Sequence, residues 1–198
     1  MKKIVSQADK GKKDRRTKLL VSLILVGIML LSTLGYAFTR EDSNTSGSAS
    51  KVKYNGFEFQ KSGNAWVLQD SSFYFTFLYN PTETQEIKVD NLNTLEDYYN
   101  EPLYVYSEDY SAKSEVYRNL YPSANKIVLR MQDACIEDKS CEGDYPIKTC
   151  EDNFIIITES NSTSKIIQQD NCVFIEGKKE NLTEVTDEFL FNLFGVRE

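Results

Sequence analysis

Phe154-Ile155-Ile156-Ile157-Thr158 is a near-continuous apolar run of strand length, closed by the turn residues Ser160-Asn161-Ser162. A strand with one wet face alternates apolar and polar side chains, so a run without alternation must be covered on both faces. The neighbouring sequence supplies covering layers. Lys165-Ile166-Ile167-Gln168 and Cys172-Val173-Phe174-Ile175, which ends in Gly177, read as two further strands. Beyond them Leu182, Val185, Phe189 and Leu193 recur at helical spacing. Asn181 through Glu184 reads as a capping box, and Gly195 followed by Val196 fits a Schellman-type stop. An amphipathic helix over residues 182–194 is therefore expected to dock on the sheet, with a polar face that does no chemistry.

Upstream, Tyr54-Asn55-Gly56-Phe57-Glu58-Phe59, Ala65 to Leu68 and Phe73-Tyr74-Phe75-Thr76-Phe77 read as three short aromatic strands. Ser62-Gly63-Asn64 and Asp70-Ser71-Ser72 separate them, the pattern of an antiparallel meander. Trp66 is expected as core filler against Phe57, Phe59, Phe75 and Phe77. Between meander and sheet, Thr94-Leu95-Glu96-Asp97 resembles a capping box and Leu103 to Tyr106 a strand. Ser111 to Tyr121 reads as a helix stopped by Pro122, with Val116 and Leu120 on one side. Lys126 to Met131 is read as a strand on the β-branched pair Ile127-Val128. The fold class is thus α+β, or mixed α/β: an aromatic antiparallel meander and a helix-covered sheet, in one domain over residues 51–198.

Charge segregates along the 198-residue chain, whose formal net charge is −7. Residues 1–18 carry Lys2, Lys3, Lys10, Lys12, Lys13, Arg15, Arg16 and Lys18 against only Asp9 and Asp14. Residues 19–38, LLVSLILVGIMLLSTLGYAF, contain no charge, and twenty helical residues rise about 30 Å, the thickness of a bilayer's hydrocarbon core. With the basic flank on one side, the positive-inside rule puts the tail in the cytoplasm and the bulk of the chain outside, on a single-pass cell-membrane anchor. Gly35-Tyr36-Ala37 would also allow signal-peptide cleavage before Phe38; the length of the apolar run favours an anchor. Residues 39–50 include Arg40 to Ser50, REDSNTSGSAS, a flexible linker without a large apolar residue.

All four cysteines, Cys135, Cys141, Cys150 and Cys172, follow the span, as suits two disulfides in an oxidising compartment. Of three connectivities we favour Cys135–Cys141, which closes a short polar loop, and Cys150–Cys172, which ties two strand starts. The spacing C-x5-C-x8-C-x21-C contains no metal knuckle and no C-x-x-C redox pair. Asn44, Asn161 and Asn181 head N-x-[ST] sequons, candidates for glycosylation on the external side.

The chain has no histidine, which removes Ser-His-Asp and Cys-His triads and histidine-ligated zinc. Phosphate-cradling glycine loops are missing too, and an acidic exterior disfavours nucleic acid as a partner. Neither a catalytic residue nor a metal or cofactor site is assigned. Acids around the cysteines, Asp133, Glu137, Asp138, Glu142, Asp144, Glu151 and Asp152, read as a solvated surface. Tyr98, Tyr99, Tyr104 and Tyr106 are candidates for a partner surface, because tyrosine offers apolar area with a polar tip, although sheet packing would use them equally well.

The opening motif Tyr54-Asn55-Gly56-Phe57-Glu58-Phe59, the step Pro146, Ile147, Cys150, the strand Asn171 to Gly177 and the ending Leu193 to Val196 resemble uncharacterised single-span envelope proteins of archaea. That resemblance implies a location and no activity. The expected protein is a membrane-anchored ectodomain that binds an envelope protein partner or serves the envelope structurally, held in the lipid bilayer through residues 19–38. The alternative is a secreted or tethered hydrolase using a carboxylate pair.

Overall fold

A computed structural model describes residues 21–26, 29, 50–87, 89, 91–121, 125–137, 141 and 143–197. The basic tail, the linker with Asn44 and most of the expected span lie outside the described residues. Residues 21–26 and 29 are helical, and no helix among the described residues is long and apolar enough to cross a membrane. The chain divides into two units, Met1–Ser48 and Ala49–Glu198; the second carries the mixed α and β architecture.

Four strands make the meander: β1 (Lys51–Tyr54), β2 (Phe57–Ser62), β3 (Ala65–Asp70) and β4 (Phe73–Phe77), antiparallel in chain order. Sequence reading expected three. The first aromatic run splits at Asn55-Gly56, whose φ angles of 44° and 86° form the left-handed turn that closes a two-residue hairpin. Trp66, Leu68, Phe59, Phe75 and Phe77 are buried on one face, and the Trp66 indole N–H donates to Glu83 at 2.9 Å.

The second sheet follows a short helix α1 (Leu95–Tyr98) and runs in the order β10 (Lys165–Gln169), β11 (Cys172–Gly177), β9 (Phe154–Glu159), β5 (Pro102–Ser107), β6 (Arg130–Asp133). β5, β6, β9 and β11 are parallel, while β10 is an antiparallel edge. Helix α2 (Tyr110–Leu120) crosses from β5 to β6, capped by the Asp109 carboxylate on the Ala112 N–H at 2.8 Å. Helix α3 (Leu182–Leu193) closes the chain. One sheet face, with Leu103, Val105, Ile155, Ile157, Val173 and Ile175, packs under the two helices. The other, with Tyr104, Phe154, Ile156 and Cys172, is covered by the cysteine segment and its small strands β7 (Cys135–Ile136) and β8 (Ile147–Lys148). Ile155 and Ile156 are both at most 2% exposed, so the run at 154–158 is covered on both faces. The disulfides are Cys135–Cys141 and Cys150–Cys172.

Three local expectations are corrected. The strand expected at 126–131 starts only at Arg130; Ile127 and Val128 are buried core plugs in an irregular approach, where the Asn100 N–H bonds the Ile127 carbonyl at 2.8 Å. Asn181 does not cap α3 through its side chain, because it ends a 3-10 turn, Lys179–Asn181; Glu184 instead accepts the Gln85 N–H at 3.0 Å. And α3 has no idle polar face: Thr186, Asp187 and Glu188 are fully buried. At its end Gly195, at φ 69°, lets the Val196 N–H reach the Phe191 carbonyl at 2.8 Å, as expected.

Those buried acids join meander and sheet. Asp187 Oδ2 accepts the Leu78 and Tyr79 N–H groups, and Glu188 takes the Thr84 hydroxyl at 2.7 Å and the Ile87 N–H. Arg197 neutralises Glu188 at 2.7 Å and donates to the Pro81 carbonyl. Along the free side of β4, the Asn119 side-chain amide bonds both the N–H and C=O of Thr76, and Asn125 does the same for Tyr74. Unpaired strand edges invite aggregation, and here side chains close one.

Candidate functional site

The loop after β5 leaves the sheet toward α2 on one face. The chain after β6 leaves toward the cysteine segment on the other. Adjacent parallel strands whose connections part in this way open a crevice beyond their carboxyl ends, the position where open α/β sheets hold ligands. A hollow of about 230 Å³ lies there, lined by Val105, Tyr106 and Ser107 of β5, Asp133 and Ala134 at the end of β6, Lys113 of α2, and Cys141 and Tyr145 of the cysteine segment. A second hollow of about 250 Å³ adjoins it and shares Lys113 and Asp133, adding Tyr110, Ser114 and Tyr117.

The shared pair organises both. Lys113 Nζ stands 2.8 Å from Asp133 Oδ2, while the Tyr117 hydroxyl donates to Asp133 Oδ1 at 2.7 Å. Burial raises the Tyr117 phenol and the Asp133 carboxylate beside it raises it further, so the ring stays a neutral donor. Lys113 and Asp133 remain 28% and 32% exposed, so both can still reach a ligand. Tyr110 and Tyr145 are exposed at 81% and 46%.

Tyr145 owes its position to a glycine. Gly143 has φ 122°, and a Cβ there would stand 2.7 Å from Tyr145 Cε2. The bare backbone lets the ring lie against it. The Cys135–Cys141 disulfide holds the start of this loop at the crevice wall.

The four tyrosines singled out from sequence do not form one patch. Tyr98 is fully buried, its phenol pushed up by burial. Tyr104 is 4% exposed, with Lys148 Nζ 4.1 Å from its ring centre and Arg130 bonded to its hydroxyl. Neither can meet a partner, because α/β packing consumed them. Tyr99 is exposed at 64%, away from the hollows' lining, and Tyr106 lines the crevice. Sequence reading missed Lys113 and Tyr145 and placed Asp133 among solvated acids; no motif in the sequence links these three positions. Asn161 is exposed in a turn and Asn181 is half-buried.

The strongest carboxyl pair lies elsewhere. Glu115 on α2 and Asp187 on α3 face each other with neither side chain exposed, and Arg118 stands 3.0 Å from Glu115. Burial raises both, and each lies outside the lining of the crevice. Among the described residues no group of three or more metal-ligating side chains converges. Comparison with protein-family models, with curated proteins and with solved structures finds no match.

Proposed function

We propose that the chain is a membrane-anchored extracytoplasmic protein that works by binding, with the crevice between β5 and β6 as its recognition site. The observation that carries the binding part is the exposed aromatic rim of Tyr110 and Tyr145 around the Lys113–Asp133 pair. Rings of that area stay in water at a cost, and a ligand that covers them recovers it. Anchoring is supported by the uncharged run at residues 19–38, long enough to cross a bilayer as a helix, behind a basic flank. Two disulfides favour an oxidising compartment.

The hydrolase reading asks for two acids converging in an accessible pocket. Glu115 and Asp187 converge, but under full burial they serve the helix interface. Binding is the better use of the crevice.

The test is a photoreactive residue in place of Tyr145 in intact cells, with Tyr99 replaced as the control. An adduct formed from position 145, absent from position 99 and lost on Lys113→Glu, is expected. Equal adducts at both positions, or none at 145, would remove the crevice as the recognition site.

A further inference from the structure

We propose that the crevice takes a saccharide: two successive sugar units of a neutral glycan, one in each hollow, with their hydroxyls on the Lys113–Asp133 pair. This deepens the binding reading and rests on it. Three features of the site select that chemistry.

Charge comes first. Lys113 and Asp133 neutralise each other at 2.8 Å, so the shared floor of the hollows favours neither anion nor cation. What the pair does offer is a donor and an acceptor side by side, the need of a vicinal diol. Lys113 has three N–H groups and one is spent on Asp133; a carboxylate has about four lone-pair sites, and here two are taken by Lys113 and Tyr117. A lipid tail or apolar peptide placed on the same floor would strip water from these charges without returning hydrogen bonds, which is costly.

Shape is the second feature. Volumes of about 230 and 250 Å³ lie below the roughly 300–1,000 Å³ of a drug-sized pocket and suit one small ring each. Each hollow has its own aromatic wall: Tyr106 and Tyr145 in one, Tyr110 and Tyr117 in the other. An aromatic face covers the C–H face of a sugar while the hydroxyls at its edge stay free for polar groups.

The third is preorganisation. Gly143 seats the Tyr145 ring, and the Cys135–Cys141 bridge restrains the loop that carries it. A side chain already held in place loses less entropy when a ligand arrives. Gly143 is thus a positioning residue that never touches the ligand.

The full-length protein in detergent micelles is titrated with chitohexaose, cellohexaose and mannohexaose, followed by the fluorescence of nearby tyrosines and by calorimetry. Saturable binding of at least one is expected, weakened tenfold or more by Tyr145→Ala and by Asp133→Asn. Gly143→Ala, with Tyr145 intact, is expected to weaken it at least threefold while both disulfides are kept; the φ of 122° strains any side chain there, so some fall in melting temperature accompanies it. Tyr99→Ala should leave affinity unchanged. Absence of saturation with all three, or binding that Tyr145→Ala and Asp133→Asn leave intact, overturns the proposal. If the sugars fail while the position-145 adduct still forms in cells, the saccharide proposal alone falls; if both fail, the binding reading falls with it.

Discussion

Asp187 and Tyr79 are separated by 108 residues in the chain, yet the Asp187 carboxylate accepts the Tyr79 backbone N–H at 2.9 Å. The same oxygen takes the Leu78 N–H at 3.1 Å, so a side chain of the last helix continues the edge of the meander where strand pairing ends. Asp187→Ala leaves both donors without that partner. A loss of about 2–6 kcal/mol in unfolding free energy is expected from urea titration, at roughly 1–3 kcal/mol for each of the two orphaned groups. A loss under 0.5 kcal/mol would show that water replaces the carboxylate.

Asp187 also titrates against stability. Burial raises it well above its ordinary 3.8, and the facing Glu115 carboxyl raises it further; burial raises Glu115 from 4.5, with Arg118 opposing. The folded state therefore keeps protons that the unfolded chain releases. Their contribution is complete below the ordinary carboxyl range and is lost as pH climbs through the raised folded values. Asp187→Asn keeps an acceptor for Leu78 and Tyr79 and removes that titration. Its stability relative to the native sequence should grow with pH above about 4, by up to ~1.4 kcal/mol per unit for one group. A difference flat from pH 4 to pH 8 would refute the shift.

Arg197 and Glu188 form a pair whose side chains are 5% and 0% exposed. Arg197→Met strands a buried carboxylate that also holds Thr84 and Ile87. The expected cost is about 3–5 kcal/mol, read as a fall in the denaturation midpoint. A midpoint equal to the native one would mean that Glu188 takes up a proton at little cost.

The bridges should separate stability from binding. Cys150–Cys172 closes a loop with a sequence separation of 22, and replacing both by serine is expected to cost about 3 kcal/mol. Cys135–Cys141 spans only 6 and walls the crevice, so its removal should cost less stability and more affinity. The reverse ranking in paired melting and titration experiments would count against the crevice.

Much of the fold was legible where periodicity is local. The apolar run at 154–158 announced its two-sided burial, and Gly195-Val196 announced the end of α3. Asn55-Gly56 was read as part of one aromatic strand, although it forms the hairpin turn that interrupts the alternation. Asn181 failed because a capping sequence can be spent otherwise when the chain enters through a 3-10 turn. The buried Asp187 and Glu188 could not be read, since their partners at 78–87 lie about a hundred positions away in the chain. The crevice was illegible for a related reason. Its residues come from two strand ends, a helix and a disulfide loop, and strand order alone brings Lys113, Asp133 and Tyr145 together.

The central claim is a tethered, oxidised domain that binds outside the membrane. It is tested most directly by the non-reduced intact mass of the native protein from alkali-washed membranes and from the medium. The account predicts a membrane species that retains residues 1–37 and is lighter by the four hydrogens of two disulfides, plus any glycan. A soluble species beginning at Phe38, or a membrane species with four free thiols, would contradict it.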